Sequence, residues 1–236
     1  STISLAIFAV SGFQTAGQGG YVRYPFDGLM QMIAEESQAQ SCVVFGEDLG
    51  TVPDNFRARM AHYKLMGCNV AMIERDPDGQ MISNENMREL SITGFSNHDF
   101  PTLTGFWEGN DFLWREALGI GAHADTLTWE KRRREDDKAT LLHLVDWDAG
   151  DMPVMTPKLM AKLQAYLAQS KALAFAVQLD DLLLEPMQAN VPGTTDEQPN
   201  WRRRAKLSLA EIATNSDVAD ICHAIDRARK EHCYDR

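Results

Sequence analysis

The chain has 236 residues, 44% of them hydrophobic, and a formal net charge of −11. This composition excludes a disordered chain, and the acidic balance, with no basic stripe apart from two short clusters, argues against a nucleic-acid or anionic-membrane surface. No run approaches the ~20 apolar residues of a membrane span, and the four cysteines (Cys42, Cys68, Cys222, Cys233) lack the spacing of a disulfide framework or zinc site.

Ser1 to Gln14 is mildly apolar but has no basic n-region, so it does not read as a signal peptide. From Tyr21 the pattern becomes regular. The segment YVRYPF (21–26) leads into a helix with Leu29, Met32 and Ile33 on its apolar side. Cys42 to Phe45 reads as a short buried strand that stops at Gly46 and runs into Glu47 and Asp48. Thr51 then reads as an N-cap, with Pro53 opening a helix that carries Phe56, Met60 and Tyr63. Asn69 to Ile73 is a second strand, closed by the turn Asp76 to Gly79. Leu90 to Phe95 is a third, and it ends in Ser96, Asn97, His98 and Asp99. Pro101 opens a short helix around Leu103, Phe106 and Trp107.

Glu130 to Lys138 is a charge run within a helical segment from Thr128, and its simplest reading is a solvated face. Thr156 and Pro157 cap an amphipathic helix with Leu159, Leu163 and Leu167. Ala172 to Leu179 reads as a fourth strand, again ending in acids, Asp180 and Asp181. Residues 190–204 are loop-like, and the last helix carries Val218, Ile221, Cys222 and Ile225. Strands alternating with helices make parallel βα units, in an α/β barrel or a doubly wound sheet, whose chemistry sits at the carboxyl ends of the strands.

Glu47 and Asp99 both lie just past strand ends, on what would be one face of such a barrel. Paired carboxylates there suit glycoside chemistry, one protonating a leaving oxygen while another stabilises an oxocarbenium-like centre. The plainer reading is that acids at strand ends cap the helices that follow. For His98 the plainer reading is a structural hydrogen bond.

Four segments shift that balance. YVRYPF (21–26), GEDLGTVP (46–53), NHDFPTLTGFW (97–107) and NVPGTTDEQPNWRRR (190–204) resemble, in order, segments of the 4-α-glucanotransferases, the amylomaltase or disproportionating-enzyme family, glycoside hydrolase family 77. The resemblance implies the C-terminal portion of a (β/α)8 TIM-type barrel with parallel strands and helical insertions, residues 21–236 forming that part of the catalytic barrel. It also implies transfer of α-1,4-glucan segments between maltooligosaccharides, with Glu47 as general acid/base and Asp99 as the carboxylate that grips sugar hydroxyls. His98, Asn190, Pro192 and Gly193 would lie at the substrate, although a plain turn serves equally for the last three. Trp201 reads as a core residue in preference to a sugar contact. Asn97 and Phe100 depart from the family's usual residues beside the His-Asp pair. No metal or organic cofactor, nucleic acid or membrane is implied, the setting is cytoplasmic, and oligomeric state is open. The alternatives are an α-glucan hydrolase with the same acids and a non-catalytic glucan-binding remnant.

The family retains configuration, which requires a second carboxylate as nucleophile. Its strand-end Arg-Ile-Asp-His segment precedes the acid/base, and no aspartate occurs before Asp27 here. The chain alone is therefore expected to be inactive. Residues 1–20 are an atypical stretch, and permissive back-translation of Ser1 to Thr15 in a neighbouring frame yields a peptide resembling the missing nucleophile strand. We read this stretch as frameshifted. The encoding DNA is expected to spell Arg-Ile-Asp-His in that frame, and sequencing it tests the point. Codons there that cannot encode the peptide would sink the reading.

Overall fold

The computed structural model describes residues 6–9, 20–50, 52–119, 124–148 and 152–233. They fall into two compact units, one comprising Ser1–Asn69 with Arg88–Ile92 and the other Val70–Met87 with Thr93–Arg236.

The first unit begins with an antiparallel pair, β1 (Ala6–Ala9) and β2 (Gly20–Arg23), in register Ala6 to Arg23. The rest of the atypical stretch lies outside the described residues, as does the Thr51 cap. Helix α1 (Phe26–Ala39) starts after Pro25, with Asp27 in its first turn favoured by the helix dipole. Its inward residues are Phe26 and Met30, with Leu29 packed beside them, whereas Met32 and Ile33 face solvent. The expected stripe was therefore rotated, because Phe26, the first helical residue, sets the buried face through its ring contact with Phe56 at 5.2 Å. Helix α2 (Phe56–His62) begins three residues later than Pro53 suggested. Asn55 is left-handed (φ 61°), a conformation that asparagine tolerates and that stops a helix from running through it. Phe56, Met60 and Leu65 complete the small core with Val44, Val52 and Tyr63.

Cys42 to Phe45 does not form a full strand. It contributes a single parallel bridge, Phe45 to Met66, secured by Gly46 N donating to Met66 O (2.8 Å) and Met66 N donating to Val44 O (3.1 Å). Strands β3 (Gly67–Val70) and β4 (Ser91–Gly94) follow. Gly67 N bonds Leu90 O and Ala71 N bonds Gly94 O, both at 2.9 Å, the constant offset of a parallel pair. β3 stops at Val70, earlier than its apolar run suggested, because Ile73 N and Glu74 N both turn back to Val70 O.

In the second unit β5 is only Ala174–Phe175, tied to β4 by Ala176 N to Thr93 O (2.9 Å), giving the sheet order β3-β4-β5. Elsewhere in the expected Ala172 to Leu179 strand, residues 172–173 and 176–178 are irregular and Leu179 opens a short helix. Helix α3 (Leu103–Glu108) is capped by Thr102 Oγ1, which accepts from Gly105 N (3.0 Å), and α4 (Asn110–Leu118) follows directly. Helix α5 (Ala124–Leu144) carries the charge run, which is not simply solvated. Arg134 forks onto Asp111 with two 2.9 Å bonds and lies over the rings of Phe106 and Phe112, and Asp137 and Lys138 are buried. Burial pushes the Asp137 carboxyl up from its ordinary value, against the pull of Arg75 at 2.7 Å. These charges lie along an interface that the local pattern could not reveal.

Helix α6 (Pro157–Ala168) matches its reading, with Thr156 capping Leu159 N (3.2 Å) and Leu159, Leu163 and Leu167 fully buried. A short helix α7 (Leu179–Leu182) and α8 (Leu209–Thr214) precede α9 (Ser216–Cys233), which packs along α6. Arg229 of α9 donates to Ala168 O (3.1 Å) and Ser170 O (3.0 Å), satisfying carbonyls left unpaired where α6 ends. Val218 and Ile221 face inward, whereas Cys222 is exposed. No helix among the described residues is long and apolar enough to cross a membrane.

Candidate active site

In the first unit Glu47 is exposed two residues past the Phe45 bridge. Its neighbour Asp48 faces the other way and is 0% exposed. Asp48 Oδ2 accepts from Arg88 Nη1 and from Arg57 Nε (3.1 Å), and its Oδ1 accepts from Cys68 N (2.8 Å). Arg57 Nη2 also reaches the Asp48 carbonyl (3.0 Å), so both backbone and side chain of this residue are held. Arg88 binds Cys68 O and, through Nε, Asn69 Oδ1 (2.8 Å), which links the turn to β3. The network needs Gly67, where a Cβ would lie 2.6 Å from Arg88 Nη1 and 2.9 Å from both Asp48 carboxylate oxygens. Burial first, then the Asp48 and Glu47 carboxylates, push the Cys68 thiol up, with Arg88 opposing. The resemblance singled out Glu47 and left Asp48 without a role. The structure supplies one, with Glu47 presented to water and Asp48 buried as the anchor of the same turn.

In the second unit β4 ends at Gly94, and the chain turns through residues 97–100. Asn97 Oδ1 accepts from Asp99 N (2.9 Å) and Phe100 N donates to Asn97 O (3.2 Å), an Asx-turn that presents His98 and Asp99 at its tip. Asn97, which departs from the family's usual residue, thus has a local role. Ser96 Oγ donates to Pro101 O (2.6 Å) and closes the base of the loop.

The late loop meets this turn. Asn190 N donates to His98 O (3.2 Å), and Asn190 Nδ2 donates to Asp99 Oδ1 (2.6 Å). His98 Nε2 lies 3.5 Å from Asp99 Oδ2. Pro192 and Gly193 are exposed in the middle of a turn closed by Thr194 N to Val191 O (3.2 Å), with Gly193 at φ 85°, as a type II turn requires. Neither has a side-chain hydrogen bond to the His98–Asp99 pair.

Trp201 is a correction. It is 64% exposed and not in the core, with its ring centroid 5.2 Å from that of His98. A large aromatic side chain reads as core by default, but the loop between Asn190 and Trp201 carries it back to the His98 turn. Asp180 and Asp181 also differ from their strand-end reading. Asp180 pairs with Arg203, while Asp181 turns beneath α3 and its Oδ1 accepts from Leu103 N (2.7 Å). Burial pushes the Asp181 carboxyl up to about 7, despite the Leu103 bond, which acts the other way. No sequence signal marked Asp181 as the more buried of the two.

A family model described as 4-alpha-glucanotransferase matches residues 5–209. The chain is 32% identical over 226 residues to the 4-alpha-glucanotransferase of Haemophilus influenzae, covering 92% of this chain and 32% of that protein. It is 33% identical over 231 residues to the 4-alpha-glucanotransferase of Mycobacterium tuberculosis (strain ATCC 25618 / H37Rv), covering 89% and 31% respectively. The crystal structure of amylomaltase from Corynebacterium glutamicum superposes with a TM-score of 0.81 at 24% identity, over 93% of this chain and 34% of that one. Amylomaltase from Streptococcus agalactiae in complex with acarbose gives 0.67 at 18%, over 94% and 39%. Those two likenesses show the fold, an α/β partial barrel with parallel strands. The chain spans about a third of the length of the curated relatives it matches. With the family model covering most of its residues, the chain belongs to the 4-alpha-glucanotransferase family.

Proposed function

We propose that these residues supply the acid/base and sugar-gripping part of a retaining 4-α-glucanotransferase site, which moves an α-1,4-glucan segment from one maltooligosaccharide to another in cytoplasmic maltodextrin metabolism. The observation that carries the reading is the junction of two distant family segments, Asn190 closing onto Asp99 at 2.6 Å, in a chain matched to the family over residues 5–209.

In the first half-reaction Glu47 gives its proton to the departing glycosidic oxygen while a carboxylate attacks the anomeric carbon. The attacking group, an aspartate in the family pattern, has no counterpart in this sequence, so turnover requires it to be supplied. In the second half-reaction Glu47 takes the proton of an acceptor sugar hydroxyl, which attacks the same carbon and releases the carboxylate. Water is the competing acceptor. Asp99, oriented by Asn190, accepts hydrogen bonds from hydroxyls of the reacting sugar, and these strengthen as the ring gains oxocarbenium character. Asp48, Arg57 and Arg88 hold the backbone from which Glu47 works.

The test grafts residues 21–236 in place of the matching segment of the Haemophilus influenzae relative, whose own nucleophile strand is kept. The chimera is expected to convert maltotriose into glucose and longer oligosaccharides. Glu47→Gln in that chimera should lower kcat by about a hundredfold, with the chain alone showing no transfer. A Glu47→Gln chimera as active as its parent would remove Glu47 from the chemistry.

A further inference from the structure

Trp201 stands beside the proposed site but has no part in the proton transfers. Its backbone is left-handed, φ 61°, a region that a bulky side chain occupies only where the surroundings impose it. Here they do. Trp201 N donates to Ala189 O (3.0 Å) and Arg202 N to Pro199 O (3.3 Å). Asn200 Oδ1 accepts from Val191 N (3.0 Å), and Asn200 Nδ2 donates to Thr194 Oγ1 (2.8 Å). The loop therefore holds a strained residue in place, and the indole it presents remains largely in water. An observed backbone outlier that exposes a large aromatic ring beside a carboxylate points to a ligand.

The groups around it define that ligand's chemistry. The indole and the His98 imidazole form a tilted pair, 48° between planes. Next to them, Asp99 Oδ1 is taken by Asn190 Nδ2 at 2.6 Å, whereas Asp99 Oδ2 has His98 Nε2 at 3.5 Å, beyond a good hydrogen bond. A partner for this arrangement has an apolar face for the ring and a hydroxyl edge for the carboxylate. A pyranose meets both needs, since its axial C–H groups suit the electron-rich indole face and its hydroxyls donate to an anionic acceptor.

We propose that Trp201 and His98 form an aromatic platform on which one glucose ring of an α-glucan lies, with its hydroxyl edge toward Asp99 and Asn190. This rests on the reading of Asp99 as the sugar-gripping carboxylate, and it makes Trp201 a determinant of glucan affinity.

The experiment titrates the full 236-residue chain with maltotriose by calorimetry, alongside Trp201→Phe, Trp201→Ala, Trp201→Gly and Asp99→Asn. The glycine variant removes the ring while accepting the positive φ, so the comparison survives if the alanine variant fails to fold. Loss of the ring is expected to weaken binding about tenfold, with Trp201→Phe keeping most of it. Should Asp99→Asn abolish binding while Trp201→Ala and Trp201→Gly bind like the parent, the platform is overturned and the Asp99 reading stands. No binding by the parent, or binding indifferent to both positions, overturns both. A Trp201-dependent preference for adenosine monophosphate over maltotriose overturns the glucan assignment.

Discussion

Replacing Arg88 with alanine is expected to destabilise the chain by about 3 kcal/mol, because it leaves a buried carboxylate short of its main partner. Asp48 is wholly buried and receives two nitrogens of Arg88. The same truncation removes the bonds to Asn69 Oδ1 and Cys68 O. Arg57 and the Cys68 amide remain on Asp48, which keeps the loss at the low end for breaking a buried pair. Urea denaturation of the two proteins measures it. The double variant Asp48→Asn/Arg88→Ala should lose less than the sum of the two single changes, since no buried charge is then stranded. A loss below about 1 kcal/mol for Arg88→Ala would mean that Arg57 alone satisfies Asp48. The consequence reaches function through the backbone, because the turn held by Asp48 is the one that bears Glu47.

Asp181 is expected to make stability fall as pH rises. Its carboxyl is pushed up to about 7 in the folded chain by burial, whereas an unfolded aspartate titrates near ~3.9. Below that value both states hold the proton and the contribution is fully present. Between the two pKa values the folded state keeps a proton that the unfolded state has lost, so raising pH favours unfolding. Above about 7 both states are ionised and the loss is complete. A shift of this size corresponds to roughly 4 kcal/mol. Asp181→Asn retains an acceptor for Leu103 N and carries no charge, so it should be more stable than the parent at pH 8 and nearly equal to it at pH 4. Denaturant midpoints of both proteins across that range check the prediction, and two parallel pH profiles would refute it.

The site was partly legible in sequence. His98, Asp99 and Asn190 were marked by local segments, and the structure brings the three into contact. The local rules also found α6, where Thr156, Pro157 and three leucines at helical spacing all agree. Errors arose wherever one level of pattern had to stand for a packing partner it could not see. The stripe of α1 was misassigned because Phe26 packs on Phe56, thirty positions along the chain. The charge run of α5 looked solvated because its partners, Asp111 and Arg75, belong to other segments. Cys42 to Phe45 has the residues of a strand but finds only one bridge in its neighbour.

By itself, the sequence determined the Thr156 cap, the Asp76 to Gly79 turn, most of the helices and the family to which the chain belongs, because these depend on residues close together in the chain and on ordered motifs. Only the tertiary structure decided that Asp48 anchors while Glu47 is exposed, that Asp181 lies beneath α3, and that Trp201 stands on His98 and not in the core. Adjacent acids carry the same local signal, and burial, with the shift in proton affinity it brings, depends on neighbours supplied from distant parts of the chain.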